Sequence, residues 1–149
     1  MEISPLTGAF GAEVTGVDVD SLDDHAVATI EAAFAEYSVL VFRGQQLDIE
    51  AFERFALRLG RFGDTPFITP VEGHPDVLKV VREAEETGPL FGSGWHSDWS
   101  FQAEPPSATL LYAVEVPSAG GDTAFANGAL AYDALSSGMR RLVDGLRGV

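Results

Sequence analysis

The sequence predicts a β-rich α+β domain. Short apolar segments are separated by glycine and proline turns, which is typical of strands. Four other stretches place apolar residues at helical spacing. The chain has 149 residues, of which 46% are hydrophobic, and this is enough for one sizeable core. We therefore expect one domain over residues 1–149, with helices at the periphery of short sheets.

Composition excludes several classes of partner and of chemistry. The chain has 23 acidic and 9 basic residues and a formal net charge of −14, which argues against nucleic acid and anionic membranes as partners. The absence of cysteine excludes disulfides, thiolate metal ligands and a cysteine nucleophile. The N-terminus lacks the features of a secretory signal, and the longest apolar runs are far too short to span a bilayer. We expect a soluble, cytoplasmic protein.

The N-terminal half of the chain predicts strands that alternate with helices. Residues 2–19 predict two short strands with turns between them. The Ser-x-x-Asp spacing of Ser21–Asp24 is that of a capping box, which predicts a helix from Asp23 to Tyr37. Its buried face should hold Val27, Ile30 and Phe34. The apolar run Ser38–Phe42 predicts a buried strand.

A second helix and a long loop come next. Asp48 is a good N-cap for an amphipathic helix that ends at Gly60. The core face of this helix should hold Phe52, Phe55, Ala56 and Leu59. Residues 61–76 predict a loop, and Val77–Val81 predicts a strand. We expect the two histidines of this half, His25 and His74, to be solvated.

The C-terminal half predicts two strands followed by two helices. Ser107–Val116 is the longest strand candidate, and Asp122–Ala126 is a short one. Asn127 is a good N-cap for a helix through Leu135, and a last helix is expected over Ser137–Leu146.

The stretch Gly94–Phe101 carries the candidate chemistry. If this segment is extended, His96 and Asp98 at i and i+2 point to the same face. An imidazole and a carboxylate are two of the three ligands of a facial two-His-one-carboxylate iron(II) site. The preceding residues 92–94, Gly-Ser-Gly, should let the backbone bend. The spacing alone also fits a solvated pair of loop residues.

Three runs of the sequence resemble a known family. The runs Trp95–Asp98 and Phe101–Pro106, followed by Gly120–Asn127, resemble the taurine dioxygenase (TauD/TfdA) family of Fe(II)/2-oxoglutarate-dependent dioxygenases. Looser similarity extends upstream through Gly11–Asp18 and Val39–Arg43. The resemblance covers nearly the whole chain, but it corresponds to the N-terminal portion of what the family normally has.

The resemblance implies a fold, a reaction and a role for individual residues. The fold is a double-stranded β-helix (jelly roll), incomplete here because the C-terminal strands are absent. His96 and Asp98 bind Fe(II), and Thr123 of the Gly-Gly-Asp-Thr block binds the co-substrate 2-oxoglutarate. With O2, 2-oxoglutarate is decarboxylated to succinate while a small organic acid is hydroxylated. Without the resemblance, Thr123 fits a strand hydroxyl that is bonded to backbone.

Aromatic and apolar residues near these motifs are candidates for the substrate pocket. We expect Phe67, Ile68 and Trp99 to line an apolar pocket for a small-molecule substrate. Trp95 and Phe101 are expected to serve as wall and packing residues, and not as participants in the chemistry.

The chain departs from the family pattern beyond its Gly-Gly-Asp-Thr block. The resemblance implies a further iron-binding His and a 2-oxoglutarate-binding Arg downstream, and no residue up to Val149 matches either. We therefore expect this polypeptide alone to have little or no activity. The alternatives are an inactive relic that acts as an interaction module, and a ligand-binding jelly roll without metal, which leaves His96 and Asp98 unexplained. Exposed edges of an open barrel would also favour association, including a homo-oligomer.

Overall fold

The computed structural model describes residues 1–83, 85–88, 92 and 94–147. They belong to two compact units, one made of Met1–Gln46 with Leu111–Val149 and the other of Leu47–Leu110. Both units combine helices with irregular segments, and each contains one small sheet. The expectation of a mixed α and β protein is therefore confirmed.

The sheet of the first unit has three short strands. Strand β1 (Glu2–Pro5) pairs antiparallel with β2 (Ala12–Thr15), and β2 pairs parallel with β3 (Leu40–Phe42). The two strands predicted within residues 2–19 are thus confirmed. β3 starts two residues later than predicted, because Ser38 adopts a left-handed conformation (φ 64°) and its N–H bonds back to the helix before it.

Helix α1 (Asp24–Tyr37) connects β2 to β3, as a parallel pair of strands requires. Its N-cap is Asp23, whose carboxylate accepts a hydrogen bond from the Ala26 N–H at 2.7 Å. The prediction of a capping box starting at Ser21 is wrong, since Ser21 lies in a separate 3-10 turn, Val19–Ser21. The burial of Val27 and Ile30 is confirmed, and Ala33 replaces the half-buried Phe34 as the third buried residue of this face.

The core of the first unit forms between this helix and the sheet. Its buried side chains are Ala12, Val14, Val19, Val27, Ile30 and Ala33. Val14 lies in the central strand, with Ile3 and Phe42 as its cross-strand partners. The side-chain amide of Gln45 accepts from the Val19 N–H and donates to the Val17 carbonyl, both at 3.0 Å, so the chain after β3 is tied to the segment after β2.

Helix α2 (Ile49–Leu59) organises the second unit. Asp48 caps it by accepting a hydrogen bond from the Ala51 N–H at 2.7 Å, and the helix ends at Gly60, both as predicted. Ala51 and Phe55 are its buried residues. The phenylalanine stripe is therefore a packing face, because a side chain buried on a helix faces its tertiary neighbours.

A two-stranded hairpin packs against α2 in this unit. Strands β4 (Pro70–Val71) and β5 (His74–Leu78) pair antiparallel, and α2 contacts β5. The predicted loop over residues 61–76 is wrong from Pro70 onward, and the strand predicted at Val77–Val81 forms only at Val77 and Leu78. The turn at 72–73 lets Val71 pair with His74, so the strand starts three residues earlier than predicted.

Residues 111–147 hold two short helices. α3 (Gly128–Asp133) and α4 (Ser137–Val143) start as predicted, with Asn127 as the cap of α3, but end two and three residues earlier than predicted. None of the described residues of 107–116 or 122–126 lies in a strand, so those two strand predictions are wrong. A strand is stabilised by hydrogen bonds to a neighbour, which apolar alternation cannot supply. Within the described residues, no helix is long and apolar enough to cross a bilayer.

Candidate metal centre

His96 and Asp98 face each other at the start of a turn. Nε2 of His96 lies 3.0 Å from Oδ1 of Asp98, although the segment is not the extended strand that the sequence suggested. Two hydrogen bonds hold the turn: the Gln102 N–H donates to the Trp99 carbonyl at 3.0 Å, and the Ser100 hydroxyl donates to the Ser97 carbonyl at 3.3 Å. The two side chains therefore converge in an irregular segment that leads into a turn, and not through strand alternation.

The backbone before the pair orients the imidazole. Nδ1 of His96 lies 2.9 Å from the carbonyl oxygen of Gly94, and because a carbonyl only accepts, Nδ1 carries the proton of this bond. In the neutral ring the lone pair is then on Nε2, the nitrogen that faces Asp98. Of the residues expected to bend the chain here, Gly92 and Gly94 have φ of 70° and 98°, while Ser93 lies outside the described residues.

The same contacts change the acidity of His96. The hydrogen bond to the Gly94 carbonyl is the largest influence, and it raises the pKa of His96 above its ordinary value of 6.5. Burial lowers the pKa, and the charge and hydrogen bond of Asp98 raise it again. The neutral ring that a metal needs is therefore populated at higher pH than in a free histidine.

The donor pair fits a divalent transition metal. A neutral imidazole nitrogen and a carboxylate oxygen are ligands that Fe(II), Mn(II) and Zn(II) accept. Two neighbouring ligands at about 2.1 Å from an octahedral ion lie about 3.0 Å apart, so the observed separation matches. The side chains are 53% and 46% exposed, so an ion can reach both. Among the residues that the structure describes, no group of three His, Cys, Asp or Glu side chains is arranged to hold a metal.

Thr123, the residue assigned to 2-oxoglutarate, lies in the unit that contains residues 111–149, whereas the histidine–aspartate pair belongs to the unit of residues 47–110. It is exposed and follows two glycines with positive φ, Gly120 and Gly121, in a segment without regular secondary structure. Its role stays a prediction.

Two of the three predicted substrate residues are joined by a third aromatic ring. The ring of Phe101 lies 6.0 Å from that of Phe67 and 5.8 Å from that of Trp99, measured between centroids. Phe67 is 80% exposed and Phe101 is 63% exposed, while Ile68 is half-buried. Phe101 and Trp95 were predicted as wall and packing residues; both are largely exposed, and the link of Phe101 to Phe67 was not predicted. The i, i+2 spacing of Trp99 and Phe101 on either side of a turn was the available signal.

The loops that carry these rings are tied together. Arg61 pairs with Glu104 at 3.0 Å, and the side-chain amide of Gln102 donates to the Asp64 carbonyl at 2.7 Å. An open cavity of about 700 Å³ lies beside these contacts. It is lined by Asp64, Thr65, Pro66, Gln102, Ala103 and Glu104.

The other two histidines differ in their surroundings. His25 is exposed, as predicted. His74 is not a solvated loop residue, so that prediction is wrong: it lies in β5, is half-buried, and its Nδ1 is 2.9 Å from the Glu53 carboxylate of α2. Its Nε2 lies 3.9 Å from Glu50, one helical turn away. No local signal in the sequence reveals this contact, because Glu53 lies 21 residues from His74.

Nearly the whole sequence matches one protein family. Residues 2–149 match the family described as "Taurine catabolism dioxygenase TauD, TfdA family". The chain belongs to this family. Within the TauD/TfdA family, the alpha-ketoglutarate-dependent sulfate ester dioxygenase of Pseudomonas putida is 35% identical over 148 residues, which are 98% of this chain and 48% of that protein.

Two further proteins also match nearly the whole of this chain over about half of their own length. A (S)-phenoxypropionate/alpha-ketoglutarate-dioxygenase of Sphingobium herbicidovorans is 35% identical over 150 residues, covering 98% of this chain and 52% of its own. The crystal structure of a taurine dioxygenase from Burkholderia xenovorans superposes with a TM-score of 0.84 at 39% identity, covering 99% of this chain and 52% of that one. This TauD/TfdA chain therefore spans about half the length of the relatives it matches.

Proposed function

We propose that this chain belongs to an Fe(II)- and 2-oxoglutarate-dependent dioxygenase that uses O2 to hydroxylate a small organic acid. The observation that carries the proposal is the 3.0 Å separation of His96 Nε2 and Asp98 Oδ1 in a chain of the TauD/TfdA family. The names of the Pseudomonas putida and Sphingobium herbicidovorans relatives both include alpha-ketoglutarate, which supports the same co-substrate here.

His96 and Asp98 would hold the iron. Bound iron with 2-oxoglutarate and O2 supplies the oxidising power for hydroxylation, and the co-substrate leaves as succinate and CO2. The protein's own contribution starts with the Gly94 carbonyl, which keeps the proton of neutral His96 on Nδ1 and the lone pair on Nε2. Asp98 supplies a hard anionic oxygen that offsets part of the cation's charge.

Thr123 would bind a carboxylate of 2-oxoglutarate. A threonine hydroxyl can donate one hydrogen bond to an anionic oxygen, and the exposure of Thr123 leaves it accessible. We expect Thr123→Val to weaken 2-oxoglutarate binding to the metal-loaded protein, whereas Thr123→Ser should retain most of it. Isothermal titration with 2-oxoglutarate compares the two variants, and equal weakening in both would contradict a hydroxyl role.

The apolar part of the substrate would lie on the row of rings. Phe67 and Trp99 both contact Phe101, and Trp99 immediately follows Asp98 in the chain. Exposed aromatic faces are well suited to bind flat or aliphatic groups, because removing them from water is favourable. Ile68, beside Phe67 in sequence, would extend this surface.

The setting of this activity is also a proposal. We place residues 1–149 in the N-terminal part of a jelly-roll dioxygenase domain that acts in the cytoplasm on a small molecule. A net charge of −14 argues against nucleic acid and membrane partners, and exposed apolar side chains would allow a homo-oligomer. Sedimentation velocity over a range of protein concentrations tests for the homo-oligomer. A single monomeric species at all concentrations would contradict it.

Metal binding is the most direct test of the proposed site. We expect the purified chain to bind Fe(II) under anaerobic conditions, and His96→Ala or Asp98→Ala to weaken that binding by more than about 100-fold, since loss of a residue that only orients a ligand already costs about 10–100-fold. His25→Ala is the matched control, because His25 is an exposed histidine in another unit. Equal Fe(II) affinity of the His96→Ala and His25→Ala proteins would refute the metal site.

A second measurement concerns turnover. With two protein ligands described for the metal, we expect little or no 2-oxoglutarate-dependent succinate release from the 149-residue chain alone. Robust succinate release would contradict this expectation while supporting the reaction class.

A further inference from the structure

Trp99 directly follows the proposed iron ligand Asp98 and has a backbone conformation that is unusual for its residue type. Its φ is 52°, in the left-handed region that residues with a Cβ adopt only with strain. Strain of this kind persists where surrounding contacts enforce it. Because Trp99 is bonded to Asp98, a contact that holds Trp99 in this conformation also limits how Asp98 is presented to His96.

Gln102 makes two hydrogen bonds that hold this turn. Its backbone N–H donates to the Trp99 carbonyl at 3.0 Å. Its side-chain amide donates to the carbonyl of Asp64, 38 residues earlier in the chain, at 2.7 Å. Asp64 lies just after Gly60, where the packed helix α2 ends. A single half-buried residue therefore closes the turn that begins at Asp98 and attaches it to the loop that follows α2.

Two other contacts join the same two segments. A Cβ atom built on Gly63 would be 3.4 Å from Cβ of Pro106, so the two backbones approach closely. Arg61 pairs with Glu104, but these side chains are 88% and 82% exposed. An ion pair with this much solvent around it contributes little. Loss of the Arg61 side chain therefore serves as a matched control for loss of the Gln102 amide.

We propose that Gln102 is a positioning residue for the proposed metal site. It holds Trp99 in the left-handed conformation, and it thereby keeps Asp98 opposite His96. The inference rests on the proposed function, because Asp98 and His96 are the proposed iron ligands. Without the amide bond to Asp64, the turn is free to relax to negative φ at Trp99, and the carboxylate is then no longer held beside the imidazole.

The first test measures the conformation of Trp99 in the metal-free protein by NMR. The NOE between the amide proton and Hα of one residue is strong at positive φ, because the two protons are then close together. We expect the Gln102→Met protein, which keeps the side-chain length but lacks the donor, to lose the strong NOE of Trp99. Gln102→Lys retains a donor and should retain the NOE, as should Arg61→Met. An unchanged NOE in Gln102→Met, or equal loss in the Met and Lys variants, would overturn the inference.

Circular dichroism of each variant detects unfolding. If the Gln102→Met protein does not fold, Gln102→Glu takes its place in the NMR comparison, because a carboxylate has nearly the same shape and donates no hydrogen bond. Retention of the strong Trp99 NOE in Gln102→Glu would also reject the proposal.

A second test separates this inference from the proposed function. Mn(II), a spectroscopically convenient divalent ion, is titrated into the wild-type, His96→Ala, Gln102→Met and Arg61→Met proteins. We expect Gln102→Met to weaken binding about tenfold, as loss of a residue that orients a metal ligand does, and Arg61→Met to stay close to wild type. If His96→Ala binds Mn(II) as well as wild type, the proposed function fails and the role of Gln102 falls with it. If His96→Ala loses binding while Gln102→Met matches Arg61→Met, the metal site stands and the role of Gln102 is rejected.

Discussion

The first 59 residues and the rest of the chain differ in how they are stabilised. All eight buried hydrophobic residues among the described ones lie between Ala12 and Phe55. In contrast, none of the described residues beyond Leu59 is buried, although this part contains His96, Asp98 and Thr123. The N-terminal elements owe their arrangement to burial, whereas the candidate site depends on local hydrogen bonds and turns.

This difference shows that the candidate site residues and the buried core residues lie in separate parts of the sequence. Exposed apolar side chains are frequent in the C-terminal part, where Leu111, Val114 and Leu142 are each more than half exposed. Surface of this kind contributes little to folding within the described residues. Substitutions in the first part should therefore change stability, and substitutions in the second should change binding.

Core truncation should give the largest effect. Ile30 is 2% exposed on α1, so Ile30→Ala should lower the free energy of unfolding by about 3 kcal/mol through lost burial and a cavity. Leu142→Ala on α4, where the side chain is 63% exposed, should change it by less than about 0.5 kcal/mol. Urea denaturation of both variants measures the difference, and equal losses would erase the distinction between the two regions.

The contact between Glu53 of α2 and His74 of β5 should have an intermediate effect. Glu53 is 21% exposed at the side chain and lies 2.9 Å from His74, so Glu53→Ala should cost about 1–2 kcal/mol. Glu50 is 62% exposed and 3.9 Å from the same ring, and Glu50→Ala should cost less than about 0.5 kcal/mol. Thermal unfolding ranks the two, and a larger loss in Glu50→Ala would show that the closer contact is not the stabilising one.

Helix capping offers the same chemistry in both regions. Asp48→Ala removes the N-cap of α2, which buries Ala51 and Phe55, and should cost about 1 kcal/mol. Asn127→Ala removes the N-cap of α3, which has no buried residue among those described, so local fraying should leave the global unfolding free energy nearly unchanged. Chemical denaturation of both variants measures their losses of unfolding free energy. Comparable losses would mean that α3 unfolds together with the core.

The smallest effect concerns pH. The raised pKa of His96 means that its contribution to stability is present below about pH 6.5 and is lost as the pH rises through the higher folded-state pKa. In the metal-free protein, an NMR titration of the ring should show a pKa above 6.5. Asp98→Asn should lower it without bringing it below 6.5, because the Gly94 carbonyl is the larger influence. A pKa below 6.5 in that variant would reverse the ranking of the two causes.

Helices were the most predictable part of the fold. Asp48, Asn127 and the spacing of Val27 and Ile30 located three helices correctly, because caps and helical periodicity depend on residues within one or two turns. The sequence motifs also located the histidine–aspartate pair. These features are local, so a sequence contains most of the information that they need.

Strands and side-chain partners were decided by tertiary structure. Residues 107–116 have strand-like alternation but form no strand, and His74 pairs with a glutamate 21 residues away that no local pattern reveals. His96 and Asp98 meet in an irregular segment instead of a strand. In each case the stabilising contact involves a residue distant in sequence or requires particular backbone angles. Such a contact forms only when the chain has folded.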